Sequence, residues 1–183
     1  SNNLIVRQNL RYSGLDFDWR YTSTGANLAP GVTTLPRSNG NLIEQMRNFT
    51  VDNHAEAHLA LGPTRHTLLG GLGYSTLNFN NTYGFGAAPS LTSAPLNYGQ
   101  QFIAAPRLTD HTSQGQNIFG TYLQDQAEWN KFVLTLSGRY DFVQTNTLNL
   151  AGVNVPTASS VRQTEGAFTG RAGLNYEIVR GVF

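Results

Sequence analysis

Residues 116–141 read QNIFGTYLQDQAEWNKFVLTLSGRYD, and their pattern decides the fold. The stretch predicts two strands joined by a very short turn at Asn130-Lys131. In the second strand Phe132, Leu134, Leu136, Gly138, Tyr140 and Phe142 share one face. Val133, Thr135, Ser137, Arg139 and Asp141 share the other. Strict alternation over this length is the two-residue period of a β-strand with one apolar and one polar face. An arginine and an aspartate stand in the middle of that polar face, which is therefore regular structure and not loop. A soluble sandwich turns its apolar face inward. A membrane barrel turns it outward to lipid, with polar residues facing a wet lumen. Both alternate equally well, so the choice rests on the rest of the chain.

The chain has 183 residues, enough for one domain of ordinary size. Only 13% are charged, about half the usual share for a soluble protein. Mean hydropathy is nonetheless −0.30, because Asn, Gln, Thr, Ser and Gly fill the gap. A net charge of +1 gives no basic patch for nucleic acid. No run of about 18 apolar residues marks a transmembrane helix, whereas a barrel strand needs only about 10 residues to cross. Cysteine is absent, so disulfides and thiol chemistry are excluded. The chain opens at Ser1 without a signal-like segment and stops at Val182-Phe183, where a further strand is due. We therefore expect an internal piece of a larger protein.

The other strands fall on either side of the hairpin. The first spans about residues 4–21, with Leu4, Val6, Leu10 and Tyr12 on even positions and Leu15, Phe17, Trp19 and Tyr21 on odd ones. The parity flips at Ser13-Gly14, which predicts a β-bulge at Gly14. A loop is expected over residues 22–41, with Gly25, Pro30, Gly31, Pro36 and Gly40. In the second strand Phe49, Val51, Ala55, Ala57, Leu59 and Leu61 oppose Thr50, Asp52, His54, Glu56, His58 and Ala60. After a tight turn at Gly62-Pro63-Thr64-Arg65 comes a third strand, about 66–79, and a long loop, about 80–112. Another long loop, about 144–163, precedes a last strand, about 164–178, followed by a short turn at Val179-Arg180-Gly181. Long and short connections alternate. An up-and-down antiparallel sheet then has every short turn at one end and every long loop at the other, as outer-membrane barrels do. Trp129, Phe132 and Tyr176 near the short turns, and Tyr74, Phe79, Tyr140 and Phe142 toward the long loops, suit two interfacial belts.

These residues resemble a known family. TYLQDQAEWNKFVLTLSGRYD (121–141) is similar to the signature hairpin of TonB-dependent ferric-siderophore receptors, particularly the ferrichrome type. VRQNLRY (6–12), NFTVDNHAEAHLALGPTRHTLLGGLGY (48–74) and FTGRAGLNYEI (168–178) resemble successive barrel strands of that group, in family order. The resemblance implies an all-β fold: about six antiparallel up-and-down strands of a transmembrane outer-membrane β-barrel of about 22 strands. Residues 1–183 would be part of the barrel domain only, with the N-terminal plug and the remaining strands elsewhere. The implied partners are a ferric siderophore of hydroxamate type, TonB through that N-terminal region, and outer-membrane lipid. Neither a resident cofactor nor enzymatic activity is implied.

Four aromatics near the long-loop ends are the candidate ligand-binding residues: Trp19, Tyr21, Tyr83 and Phe85. By themselves they suit an interfacial belt or loop packing better than an aromatic vestibule around a large, partly apolar chelate. The resemblance favours the vestibule, because ferrichrome-type receptors use aromatics at the extracellular ends of strands. Tyr98 and Phe102 belong to the same group of loop-end aromatics. Gly84 and Gly86 would let the loop carrying Tyr83 and Phe85 fold over a ligand. His54-x-Glu56-x-His58 aligns three potential metal ligands, but about 7 Å separates neighbours on one strand face and no fourth ligand is identifiable. A polar lumen face is the better reading. Arg139, Asp141, Arg171 and Glu177 suit cross-strand pairs or plug contacts better than an anion site. Thr135 stands where a nucleophile elbow ending at Ser137-Gly138 needs glycine, and Gly70-Gly71-x-Gly73 fits no phosphate loop. A passive porin or other outer-membrane barrel, including a barrel enzyme, and a soluble all-β binding module stay open as alternatives.

Overall fold

The computed structural model describes residues 3–24, 31–93 and 95–179. Six strands follow in chain order: β1 (Leu4–Thr24), β2 (Thr34–Leu61), β3 (Thr64–Thr92), β4 (Asp110–Trp129), β5 (Phe132–Asn149) and β6 (Ser159–Tyr176). Neighbours in sequence are neighbours in space, every pairing is antiparallel, and the order is β1-β2-β3-β4-β5-β6. No helix occurs among the described residues. Two-residue turns close the hairpins. Gly62, at φ 60°, takes the left-handed conformation that Pro63 cannot, and Asn130 does the same at φ 52°. Both turns lie at one end of the sheet, called here the turn end. The connections 93–109 and 150–158 lie at the opposite, loop end, as does that between β1 and β2. Of the expected punctuation, Gly25, Pro30, Arg180 and Gly181 lie outside the described residues.

Paired residues share a face, so the register assigns every side chain. The row Leu10–Val51–Tyr74–Phe119–Phe142 belongs to one face together with Leu123, Leu134, Leu136 and Leu174. We call it the outer face, after its place in a closed barrel. The inner face carries Thr50, Asp52, His54, Glu56, Gln124, Ser137 and Arg139. No apolar side chain is buried among the described residues; Leu10 and Leu123 are 63% and 62% exposed. Exposed leucines in regular rows have a cost of about 25 cal/mol per Å² in water, which an apolar surrounding removes. The aromatics bracket the rows. Tyr12, Phe49, Tyr74, Phe119, Phe142, Tyr140 and Phe168 lie toward the loop end. Trp129, Phe132 and Tyr176 cluster at the turn end, with ring centroids 6.3 Å and 4.9 Å apart. From Phe119 to Trp129 a strand advances about 33 Å, or about 25 Å of height at a tilt of about 40°, the height of a barrel's apolar band.

Three expectations need correction. The bulge at Gly14 is not there: β1 pairs with β2 residue by residue from Leu4↔Ala57 to Thr24↔Arg37, through Gly14↔Arg47. The parity flip is instead a change of surroundings. On the turn side of the belt the apolar residues of β1 point outward. Beyond it Leu15, Phe17, Trp19 and Tyr21 point inward, while Asp16, Asp18 and Arg20 point outward. β2 and β3 invert at the same level, with Met46, Leu77 and Phe79 inside and Arg47 and Asn78 outside. Phe79 therefore leaves the outer belt. The expected long loops are also shorter, because β2 begins at Thr34, β3 runs to Thr92, β4 begins at Asp110 and β5 ends at Asn149. Beyond the belt both faces carry polar residues, and the lost alternation mimics a loop. One register shift does occur, between Leu35 and Arg37, where Pro36 has no N–H for the ladder.

On the outer face His66 and Asp125 interrupt the apolar band. The imidazole Nδ1 lies 2.9 Å from the carboxylate, and its Nε2 3.0 Å from the Thr64 hydroxyl. Mutual pairing offsets part of the cost of placing these groups among leucines.

The face assignment predicts that Leu136→Arg, midway along the apolar band, destabilises the full-length protein by about 2–4 kcal/mol, and Ser137→Arg by less. Refolding titrations in detergent or vesicles measure both, and equal or reversed losses would overturn the assignment. The separation of the two ends predicts that cysteines at Ser90 and Ala151 react with an impermeant maleimide on intact cells, and a cysteine at Thr64 does not. Labelling at Thr64 alone would invert the orientation.

Candidate functional site: an aromatic platform at the loop end

The inversion of β1 beyond Ser13 places Phe17, Trp19 and Tyr21 in a row on the inner face. Trp19 stacks on Tyr21 with centroids 4.5 Å apart, and Phe17 lies 6.3 Å from Trp19. On β3 Tyr83 and Phe85 form a second row, centroids 6.5 Å apart and planes 23° from parallel. β2 separates the rows and contributes Leu42, opposite both Trp19 and Tyr83, and Gly40, opposite both Tyr21 and Phe85. A Cβ at Gly40 would run into the Tyr21 ring. Glycine there lets that ring lie across β2, so that the Tyr21 and Tyr83 hydroxyls meet at 3.2 Å. The four aromatics named from the sequence thus form one platform, with Trp19 and Phe85 still 49% and 55% exposed. The hydrogen bond shared with the Tyr21 hydroxyl, and partial burial, push the Tyr83 phenol up to about 12, so it stays neutral.

Tyr83 and Phe85 lie within β3 and do not begin a flexible loop, which corrects the role expected for Gly84 and Gly86. Both glycines face outward. A Cβ at Gly84 would strike the backbone of Arg107, and one at Gly86 would press on Asn39 and Pro106. The connection after β3 therefore folds back against the outer face. Ala104 O accepts from Asn39 Nδ2, Gln101 Oε1 accepts from Arg37 Nη2, and Tyr83 O accepts from Thr109 N at 2.9 Å. Tyr98 and Phe102 stay exposed in this connection, apart from the platform. The connection after β5 is fixed by Asp110, which accepts from Asn154 N at 2.8 Å and Asn154 Nδ2 at 3.0 Å. Those bonds, with one from the Thr109 hydroxyl, hold the Asp110 carboxyl below the usual range.

Toward the turn end the inner face is a polar network. Asp52 accepts from the Tyr122 hydroxyl at 3.1 Å and lies 2.9 Å from His54 Nδ1. The Tyr122 ring covers Gly71, where a Cβ would collide with it. The Arg139 guanidinium stands 5.6 Å from the centre of that ring and bonds Asp141 at 2.7 Å. His58 pairs with Glu56 at 2.9 Å, and Arg7 reaches Glu56 at 3.4 Å. The suspected trio of ligands is thus divided, His54 belonging to Asp52 and His58 to Glu56. Among the described residues no group of three or more ligating side chains is placed to hold a metal ion. The sequence reading missed Gly40, Phe17 and Asp110. The odd-position apolar run after Gly14 was the signal for Phe17; the other two depend on register across strands.

Residues 1–182 match the family described as TonB dependent receptor-like, beta-barrel. The chain is 32% identical over 151 residues to the ferrichrome outer membrane transporter/phage receptor of Escherichia coli K12, covering 76% of this chain and 19% of that protein. It is 30% identical over 152 residues to the ferrioxamine B receptor of Salmonella typhimurium, covering 81% of this chain and 21% of that protein. It spans, then, about a fifth of the length of these relatives, which are transporters and receptors by name and not enzymes. Among solved structures it is similar in fold to the siderophore receptor PiuA of Acinetobacter baumannii, with a TM-score of 0.72 at 14% identity. That match covers 98% of this chain and 28% of PiuA. BauA, the ferric preacinetobactin receptor of the same organism, matches with a TM-score of 0.62 at 16% identity, covering 98% of this chain and 26% of BauA. Six up-and-down antiparallel strands, an apolar band between two aromatic belts and this family match make the chain a part of an outer-membrane barrel: it belongs to the TonB-dependent receptor β-barrel family.

Proposed function

We propose that the protein containing this chain takes up a ferric siderophore of hydroxamate type across the outer membrane, driven through TonB. The observation that carries the reading is the convergence of Trp19, Tyr21, Tyr83 and Phe85 over Gly40 on the inner face of the loop end. A ferric hydroxamate is bulky and partly apolar. Its affinity would come from aromatic area and a few hydrogen bonds, and the platform offers both. The names of the ferrichrome and ferrioxamine relatives support the same ligand class. In this reading the outer leucine rows contact lipid. The network of Asp52, Tyr122 and Arg139 faces a plug supplied by another part of the protein, which also carries the contact with TonB.

Trp19→Ala and Phe85→Ala in the full-length receptor should each weaken ferric-hydroxamate binding by about 1–3 kcal/mol, as for loss of a buried apolar side chain. His54→Ala and His58→Ala should leave it unchanged. Affinity on purified, folded variants decides, and losses confined to the histidine variants would replace the platform with a metal-contact site. Tyr21→Phe should let Tyr83 ionise at lower pH than its present value of about 12. The phenolate absorbance during alkaline titration reports this, and an unchanged curve would refute the hydroxyl contact.

A further inference from the structure

Beyond the aromatic belt the sheet sorts its charges by face. The strand segments concerned are 13–24, 34–48, 75–92, 110–118, 143–149 and 159–167. Their arginines, Arg20, Arg37, Arg47 and Arg162, all stand on the outer face. Their inner-face charges are all carboxylates: Glu44, Asp110 and Glu165. Inner-face arginines occur on the turn side of the belt, Arg11 and Arg139 among them. Arg107 lies on the connection whose backbone packs against the outer face at Gly84. Two of the three acids border the platform. Asp110 is the cross-strand partner of Tyr83. Glu44 is the partner of both Phe17 and Asn81, one inner-face position from Leu42. It accepts from Asn81 Nδ2 at 3.0 Å. On the outer face Asp16 is taken up by Arg47 at 2.7 Å and Asp18 lies 3.8 Å from Arg20, so the carboxylates there are neutralised. Among the described residues the donors bonded to the inner pair are neutral amides and a hydroxyl.

Resting on the vestibule reading above, we propose that this sector selects a ferric trihydroxamate by the charge of its tail, preferring one with a free ammonium group to neutral or anionic forms. A trihydroxamate cancels the charge of iron(III), so the charge of the complex is that of its tail. The aromatic rows hold the apolar chelate body and are indifferent to that charge. Glu44 and Asp110 are fixed beside Tyr83 and act on any charged tail that reaches past the rings. An anionic tail meets like charge with no guanidinium to answer it, and a neutral tail gains nothing from the carboxylates.

The test uses the purified full-length receptor and a linear ferric trihydroxamate with a free terminal amine, the same chelate N-acetylated, and the same chelate N-succinylated. The wild type should bind the amine form about 5–20-fold more tightly than the acetylated form at low salt, and the succinylated form most weakly, with the contrast shrinking near 0.3 M salt. Glu44→Gln, which keeps the acceptor for Asn81, should reduce that contrast by weakening the amine form more than the acetylated form. A flat or inverted ranking in the wild type, with Trp19→Ala still weakening all three chelates, would overturn the charge preference and leave the vestibule standing. Trp19→Ala without effect on any of them would remove the vestibule itself, and the preference with it.

Discussion

One backbone ladder runs unbroken from the apolar band into the polar half of the sheet, and the rest of the structure depends on it. β1, β2 and β3 keep their hydrogen bonds through the aromatic belt, so the period-two alternation of side chains is never reset there. The sequence answers by exchanging which parity is apolar. Leucine, valine and alanine occupy the outer face along the band, and phenylalanine, tryptophan and tyrosine the inner face beyond it. Water on both sides of the emerged strands removes any demand for an apolar exterior and leaves the aromatics free to line the interior. An unbroken ladder also makes the platform a wall of paired strands, in which Tyr21 and Tyr83 meet across Gly40 without flexible backbone between them.

Glycine does a related task toward the turn end. Gly71 leaves a recess into which Tyr122 lies down, so its hydroxyl crosses from β4 to Asp52 on β2. The ring then carries Arg139 above it, and Asp141 completes the guanidinium's bonding. Polar groups on a barrel's inner wall are satisfied here mostly by their neighbours, leaving the face patterned but balanced in charge. His66 and Asp125 follow the same rule under harsher conditions, since they pair with each other among leucines and Thr64 takes the other imidazole nitrogen.

Much of this was legible in the residues. Alternation from Phe132 to Phe142, the short turns and the segregated connections gave the strands, their order and their faces. Composition could not give where strands end. Residues 34–41 and 80–92 are rich in Gly, Asn and Pro and lose their alternation, yet they pair fully outside the shift at Pro36, because a sheet wetted on both sides has no apolar stripe to show. The flip at Ser13-Gly14 was visible, but two causes produce the same string: an extra residue or an exchanged environment. Only the register with β2 distinguishes them. The four platform aromatics were nameable because they are large and near strand ends. Gly40, which lets the two rows meet, looked like loop punctuation, and Asp110 gained meaning only from its place opposite Tyr83.

The uninterrupted register also limits how such a chain can change in evolution. Inserting or deleting one residue between Tyr12 and Leu15 would keep the membrane half of β1 in place and turn the emerged half inside out, sending Trp19 and Tyr21 to the exterior. Changes of length within the wall are tolerable only in pairs, each pair moving the platform by about 7 Å along the strand. Descendants of this sequence can therefore raise or lower the aromatic platform only in discrete steps, while the connections above are free to vary residue by residue.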